Sequence, residues 1–221
     1  MTVPQEPPPD LPTWQPQTAF EVLFVCTGNL CRSPFAEALM RRLMVDRLGP
    51  EALTAFRFGS AGIRAVPGRP MHPGTRAALD VWGVPDDISF TARRLDEKMI
   101  ISSDLVLTME ESHRAAIAWL AGDAVHKVYG LRRFARMVQS LDPRRLPPDP
   151  VHRALRIVEW APRLHAGLPP VPPEQEAVPD PVTGGPQEHL RSADLVFDAV
   201  ATIVDVIAPP GVTVHEADAW W

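Results

Sequence analysis

Residues 20–34 read Phe-Glu-Val-Leu-Phe-Val-Cys-Thr-Gly-Asn-Leu-Cys-Arg-Ser-Pro. Val22 to Val25 is a run of strand formers, and Thr27, Gly28 and Asn29 supply a turn. A helical pattern begins after Ser33, with Pro34 at a favoured first-turn position. Cys26 stands where the strand ends, and Arg32 follows in the pattern C-x5-R. A loop of that length curls until its backbone N–H groups, from Thr27 to Arg32, converge on one centre. Such a nest opening onto a helix N-terminus is an oxyanion site. Cys26 then lies at the floor of the cup, where the same field favours its thiolate. Arg32 closes the ring with a planar fork suited to two phosphate oxygens. A bare C-x5-R would read as a buried cysteine and a surface arginine. The strand before it and the helix start after it make the functional reading the stronger one.

Outward from this loop, strand-like and helix-like segments alternate. Ser33 to Leu48 has apolar residues at spacings of three and four and stops at Gly49-Pro50. Ala55–Ser60 reads as a second strand, with Gly59-Ser60-Ala61-Gly62 as its turn. Pro73–Trp82 and Glu97–Ser102 read as helices, Leu105–Met109 as a buried strand, and Glu110–Leu120 as the helix after it. Ala124–Val128 reads as a further strand, and Leu190–Ile207 as the last helix. This order predicts an α/β three-layer sandwich: a small parallel sheet of about four strands with helices on both faces. The cysteine loop then sits at the carboxyl edge of the sheet, where such folds bind ligands.

Composition sets limits around that core. Residues 1–18 are proline-rich and read as a disordered tail, and residues 210–221 as a C-terminal tail. Residues 19–209 form a single expected domain. A proline-rich insertion at about 131–177 keeps helical pieces at Arg132–Leu141 and Pro150–Trp160 and is otherwise an extended, exposed linker. Trp160, Leu164 and Leu168 in it either cover the mouth of the loop or, more in keeping with ordinary loops, pack on the domain surface. The net charge of −5 argues against a nucleic-acid partner. No apolar run reaches the roughly 20 residues that span a bilayer, and the N-terminus lacks the pattern of a signal peptide. The chain has two cysteines, both in the loop, which argues against a disulfide framework. A reducing cytoplasm is the expected setting, with no membrane partner.

The string from Cys26 to Pro34, followed by Ala36-Glu37-Ala38, closely resembles the active-site loop of low-molecular-weight protein tyrosine phosphatases. The resemblance runs from Phe20 to about Leu120 and again from Val178 to Ile207. It implies hydrolysis of phosphotyrosine-type monoesters through a cysteinyl-phosphate, without cofactor or metal. Cys26 is the implied nucleophile. Thr27, Gly28, Asn29, Leu30, Cys31 and Arg32 are the implied phosphate binders. Asn29, Ser33 and Ser60 match polar residues that brace the loop. The family carries its acid on an Asp-Pro before the last helix. Asp142, Asp149 and Asp180 all precede a proline, and only Asp180-Pro181 stands in that place.

Departures from the family pattern matter too. Phe90 stands where many members have a bracing His, and Glu110 where an Asp is common. Val182-Thr183 and approximately Val66 replace the aromatic walls that flank a phosphotyrosine ring. Cys31 reads either as a redox partner of Cys26 under peroxide, as the resemblance implies, or as a small buried residue of the loop. His72, His113, His152, His165, His189 and His215 read as solvated surface residues. The implied partner is a phosphorylated protein, with a bacterial tyrosine kinase as an example, and phosphate or another oxyanion would also occupy the loop. Three rivals stand beside this reading. One is an arsenate reductase using an external thiol. Another is a phosphoarginine phosphatase, whose loop carries Thr where Leu30 stands here. The third, outside catalysis, is a phosphate- or phosphoprotein-binding module.

Overall fold

The computed structural model describes residues 19–85 and 89–211. The expected tail 1–18, and residues 212–221 of the expected C-terminal tail, lie outside the described residues. Among the described residues, four strands form one parallel sheet: β1 Phe20–Cys26, β2 Phe56–Gly62, β3 Leu105–Thr108 and β4 Val128–Gly130. The helices are α1 Arg32–Leu48, α2 Ala52–Ala55, α3 Pro73–Val81, α4 Glu97–Ser102, α5 Glu111–Leu120, α6 Leu131–Gln139, α7 Pro150–Gly167, α8 Pro173–Glu176 and α9 Pro186–Ile207.

The strand order β2-β1-β3-β4 puts β1 inside the sheet. From β1 the chain crosses first to one side, to β2, and later to the other, to β3. The crevice beyond the carboxyl end of β1 is therefore the switch point at which open α/β sheets bind ligands. Alternation along β1 builds both layers. Phe20, Val22 and Phe24 join one large cluster with Phe35 and Leu39 of α1, Phe134 of α6 and Val200 of α9. Leu23 and Val25 point the other way, into a smaller cluster with Ile100 of α4 and Ile117 of α5.

Three expectations change. The turn expected at Gly59-Ser60-Ala61-Gly62 is strand: β2 stays paired with β1 to the end, with Cys26 opposite Gly62. The fourth strand starts at Val128 rather than Ala124, because its register on β3 pairs Val106 with Val128, and Gly122–Lys127 winds as a 3-10 helix instead. The helical pieces expected at Arg132–Leu141 and Pro150–Trp160 stand as α6 and α7, but α7 runs on to Gly167 and α8 follows, so less of the segment 131–177 is extended linker than expected. Its prolines explain this: Pro143, Pro150 and Pro173 all stand in the first turn of helical segments, where a missing N–H costs nothing. Asp149 caps α7 by accepting the His152 N–H at 2.9 Å.

That segment shares the domain's large core. Val151, Ala154, Ile157 and Ala161 of α7 are buried in it, and Trp160, Leu164 and Leu168 pack against it. Those three side chains therefore take the packing role rather than that of a cover. Arg153, also buried, ties α7 to the end of α9 by donating to the Val206 carbonyl at 2.9 Å and to the Pro147 carbonyl at 3.0 Å. Glu176 of α8 accepts from Arg133 at 3.0 Å and Arg136 at 2.9 Å, pinning α8 to α6. No helix among the described residues is long and apolar enough to cross a membrane.

Candidate functional site

The loop between β1 and α1 lies against the end of β2. A Cβ on Gly62 would come within 2.7 Å of the Asn29 nitrogen and the Thr27 carbonyl, so only glycine lets the strand end approach so closely. Asn29 takes a left-handed backbone, φ 53°, a conformation asparagine tolerates better than most residues. Its side chain is fully buried and braces the loop.

The Asn29 amide nitrogen donates to Ser33 Oγ at 3.0 Å and to Ser60 Oγ at 2.8 Å, which uses both its hydrogens. Its oxygen accepts the Arg93 N–H at 2.8 Å, which fixes the amide orientation. Ser60 then gives its hydrogen to Glu37 at 2.6 Å. The Ser33 hydrogen is left for Cys26 Sγ at 2.9 Å, closer than the alternative Ala61 carbonyl at 3.4 Å. The Asn29 N–H meets the same sulfur at 3.3 Å. Two donors converging on one sulfur is the pattern that an anionic sulfur requires.

Asn29, Ser33 and Ser60 thus meet as the sequence implied. Glu37 and Arg93 were missed. Phe90, which stands where many members of the resembled family have a bracing His, packs against the core, and the chain of bonds ends on the Glu37 carboxylate. Glu37 lies one turn after Ser33 on α1, a spacing that brings side chains together on a helix, and that was the available signal.

Arg32 opens α1, whose N-terminus has no side-chain cap. Its guanidinium is buried and spans the site. One terminal nitrogen donates to Glu110 at 3.1 Å and to the Val178 carbonyl at 2.9 Å. The other donates to Asp180 at 2.6 Å and to Thr27 Oγ1 at 3.2 Å. Nε is buried with no protein acceptor, which suits an oxyanion oxygen presented by a ligand.

The Asp180 segment is laced onto this centre. The Val178 N–H bonds to the Met109 carbonyl at the end of β3, at 2.8 Å. Asp180 Oδ1 takes the Val182 N–H at 3.2 Å while Oδ2 faces Arg32. Of the three Asp-Pro pairs, two prove to be caps: Asp142 accepts the Arg144 N–H at 3.1 Å, and Asp149 caps α7. Among the three, Asp180 is the one at the loop.

The histidine expectation fails at two positions. His113 is fully buried, and its Nε2 lies 3.0 Å from Thr27 Oγ1. Burial, reinforced by the Arg32 charge, pushes its pKa down to about 4, so it is neutral near pH 7. Its approach to Glu110, 3.6 Å, is therefore not an ion pair there. Burial alone would push the Glu110 carboxyl up. The Ser112 hydrogen bond, His113 and Arg32 together outweigh that and hold it below the usual range. His189 is also buried and stacks on His72, ring centroids 4.5 Å apart.

Around the rim, Leu30 is only 9% exposed and packs with Cys31 and Ala92. Val66 and Val182 are open, at 60% and 41%. Both cysteines are buried free thiols, and burial pushes the Cys31 thiol up to about 11, against a hydrogen bond from Thr75.

A family model of low molecular weight phosphotyrosine protein phosphatases matches residues 21–155. The low molecular weight protein-tyrosine-phosphatase Etp of Escherichia coli K12 is 30% identical over 151 residues, covering 65% of this chain and 93% of that protein. A protein-arginine-phosphatase of Bacillus subtilis is 34% identical over 114 residues, covering 52% of this chain and 71% of that protein. The structure of Vibrio vulnificus Wzb in complex with benzylphosphonate superposes with a TM-score of 0.59 at 20% identity, covering 85% of this chain and 99% of the other. At that identity the likeness concerns the fold.

Proposed function

The chain belongs to the low molecular weight phosphotyrosine protein phosphatase family, and we propose that it hydrolyses phosphotyrosine-type monoesters of proteins through a cysteinyl-phosphate on Cys26. The observation that carries this reading is the meeting of three groups at one loop. Cys26 Sγ faces two donors, Arg32 has an unpartnered Nε, and Asp180 lies 2.6 Å from the same guanidinium.

In the first step the Cys26 thiolate attacks phosphorus in line with the leaving phenolate oxygen. The S–P bond forms as the P–O bond breaks. Backbone N–H groups from Thr27 to Arg32 and the Arg32 side chain hold the three equatorial oxygens. Asp180 gives its proton to the leaving oxygen. In the second step water attacks the cysteinyl-phosphate, Asp180 takes a proton from that water, and phosphate departs as the thiolate returns. The Ser33 hydroxyl, already directed at the sulfur, stabilises it as it leaves. Asp180 reaches the leaving oxygen only when it lets go of Arg32, so the incoming phosphate and Asp180 exchange places on the guanidinium.

A phosphorylated protein, such as a bacterial tyrosine kinase, is the partner in this reading, and a reducing cytoplasm keeps the two thiols free. A second reading, hydrolysis of phosphoarginine, is favoured by the 34% identity to a protein-arginine-phosphatase and by the open Val66 and Val182. One assay separates the readings: phosphotyrosine, phosphoarginine and phosphoserine peptides, and arsenate with an external thiol, presented to the same preparation. The expected result is fastest turnover of phosphotyrosine, reduced to background in Cys26→Ser with phosphate binding retained. Full activity of Cys26→Ser overturns the mechanism. Faster release from phosphoarginine overturns the substrate, and phosphate binding without turnover by the unmodified chain reduces the protein to a binding module.

A further inference from the structure

At the end of the phosphate loop, three residues distant in sequence come together. Cys31 ends the loop, His72 precedes α3, and His189 lies in the first turn of α9. A ligand atom from each lies within 4.8 Å of the other two. We infer that Cys31, His72 and His189 form a binding site for a borderline-soft divalent cation of the zinc type, which clamps the loop to the starts of α3 and α9.

Several independent observations point to a ligand. His189 is 4% exposed, yet its Nε2 has no hydrogen-bond partner. Buried polar nitrogens are nearly always satisfied, so an orphan among potential ligands asks for a partner from outside the chain. Its other nitrogen is held by Thr75 Oγ1 at 3.3 Å, the outer-shell contact that fixes a ligating imidazole. His72 Nδ1 accepts the Gly74 N–H at 3.1 Å, so its ring proton sits on Nε2; ligation through Nε2 moves that proton to Nδ1 and releases the Gly74 contact. Gly74 itself makes room for the ring: a Cβ there would lie 2.6 Å from His189 Cδ2 and 2.8 Å from Nε2.

The donor set selects the ion. One thiolate and two imidazoles suit zinc, with Zn–S near 2.3 Å and Zn–N near 2.0–2.1 Å, and water takes the fourth position. Tetrahedral bonds of those lengths put the ligand atoms about 3.3–3.6 Å apart. Groups now as much as 4.8 Å apart must therefore close in by up to roughly 1.5 Å. The rings are nearly parallel, 14° between planes, and must also turn so that both lone pairs meet one ion. His72, only half-buried, supplies that rotation. On binding, the Cys31 thiol gives its proton to solvent and the sulfur bonds the metal. No electron is transferred.

The test uses the full chain, stripped with chelator. Zinc is titrated in competition with a chromophoric chelator, and cobalt(II) is substituted as a spectroscopic probe. The expected results are one zinc per chain, a higher melting temperature with zinc, and a cobalt spectrum showing four-coordinate bands with a thiolate charge-transfer band. His72→Asn keeps a helix-capping side chain, and His189→Gln keeps a partner for Thr75. Each should weaken zinc by more than the roughly 10–100-fold that loss of an outer-shell partner brings. Cys31→Ser should remove the charge-transfer band, and Cys26→Ser should keep it. No saturable binding, or equal binding in His72→Asn and the unmodified chain, would make the histidine stack a packing feature and overturn the site. A charge-transfer band that survives Cys31→Ser but vanishes in Cys26→Ser would move the ion into the catalytic cup and overturn it equally.

Discussion

The floor of the candidate site and its rim are built on opposite terms. On the floor, Cys26, Asn29, Cys31, Arg32 and Ser33 are at most 4% exposed, and Asn29 spends every hydrogen-bonding group of its amide on the loop. At the rim, Val66 and Val182 are 60% and 41% exposed. A floor determined by so many bonds fixes one chemistry, because each donor has a single place to point. A rim of exposed valines makes few demands on what stands above the phosphate. The reaction is therefore specified locally and tightly, and the substrate loosely.

The strongest way to break this comparison is at the group that links floor and rim. Asp180 belongs to the rim by sequence and to the floor by its contact with Arg32. In Asp180→Asn, turnover of a phosphotyrosine peptide should fall by about 10²–10⁴-fold, the usual contribution of a positioned acid. The loss should shrink as the leaving oxygen becomes more acidic and needs its proton less. Steady-state rates across aryl phosphates of graded leaving-group acidity read this out. A loss that is the same for all of them would show Asp180 to be only an anchor for Arg32.

The same contrast explains what could be read in the sequence. Cys26 to Pro34 is contiguous, so its strand, turn, nest and helix start are all visible in one window. Asp180 was found by its place before α9, not by its dipeptide, since Asp142 and Asp149 carry the same dipeptide and serve as caps. Glu37 carried one signal, its place one turn after Ser33; Arg93 and His113 were not legible, because their roles depend on which elements the fold lays side by side. His113 joins Thr27 only once α5 packs beneath β1. The segment 131–177 is legible only in part: its helical pieces at 132–141 and 150–160 are visible, but α7 runs on past Pro162 to Gly167 and a further helix starts at Pro173. Proline content points to linker, yet at the first turn of a helix proline is a start signal, as at Pro173. Ala161 and Leu164, continuing the helical spacing of Val151, Ala154 and Ile157, carry the signal that α7 goes on.

His113 offers a test of how far the floor extends. Its pKa is about 4 in the folded chain and near 6.5 when unfolded. Arg32, Glu110 and Asp180 are the charged groups acting on it. Because the unfolded chain takes up this proton first, the contribution of neutral His113 to stability is full above about pH 6.5. It is lost as pH falls towards about 4. Glu110, whose folded value is also depressed, adds a loss of the same sign, but one that begins only near its ordinary value of 4.5. Between pH 7 and 5 His165 and His189, also depressed by burial, lose stability in the same direction, so urea unfolding isolates His113 only as the difference between the unmodified chain and its Gln variant. Replacement by Gln should flatten the decline in that window. An unchanged slope would show the imidazole to be uninvolved.

The smallest expected effect lies at the rim, and it sharpens the comparison most directly. Val182 follows Asp180-Pro181 and is exposed beside the loop. If the rim sets only preference, Val182→Tyr should add a ring that can pack on a phosphotyrosine, worth roughly 0.5–1.5 kcal/mol. That corresponds to about a 2–12-fold gain in kcat/KM on phosphotyrosine peptides. An alkyl phosphate has no ring to stack, and its kcat/KM should not change. The gain should appear in KM with kcat unchanged, since packing on the ring acts in the ground state and the transition state alike. A gain on both substrates would mean that the substitution had reached Asp180 or Arg32, and that the rim is not separable from the floor.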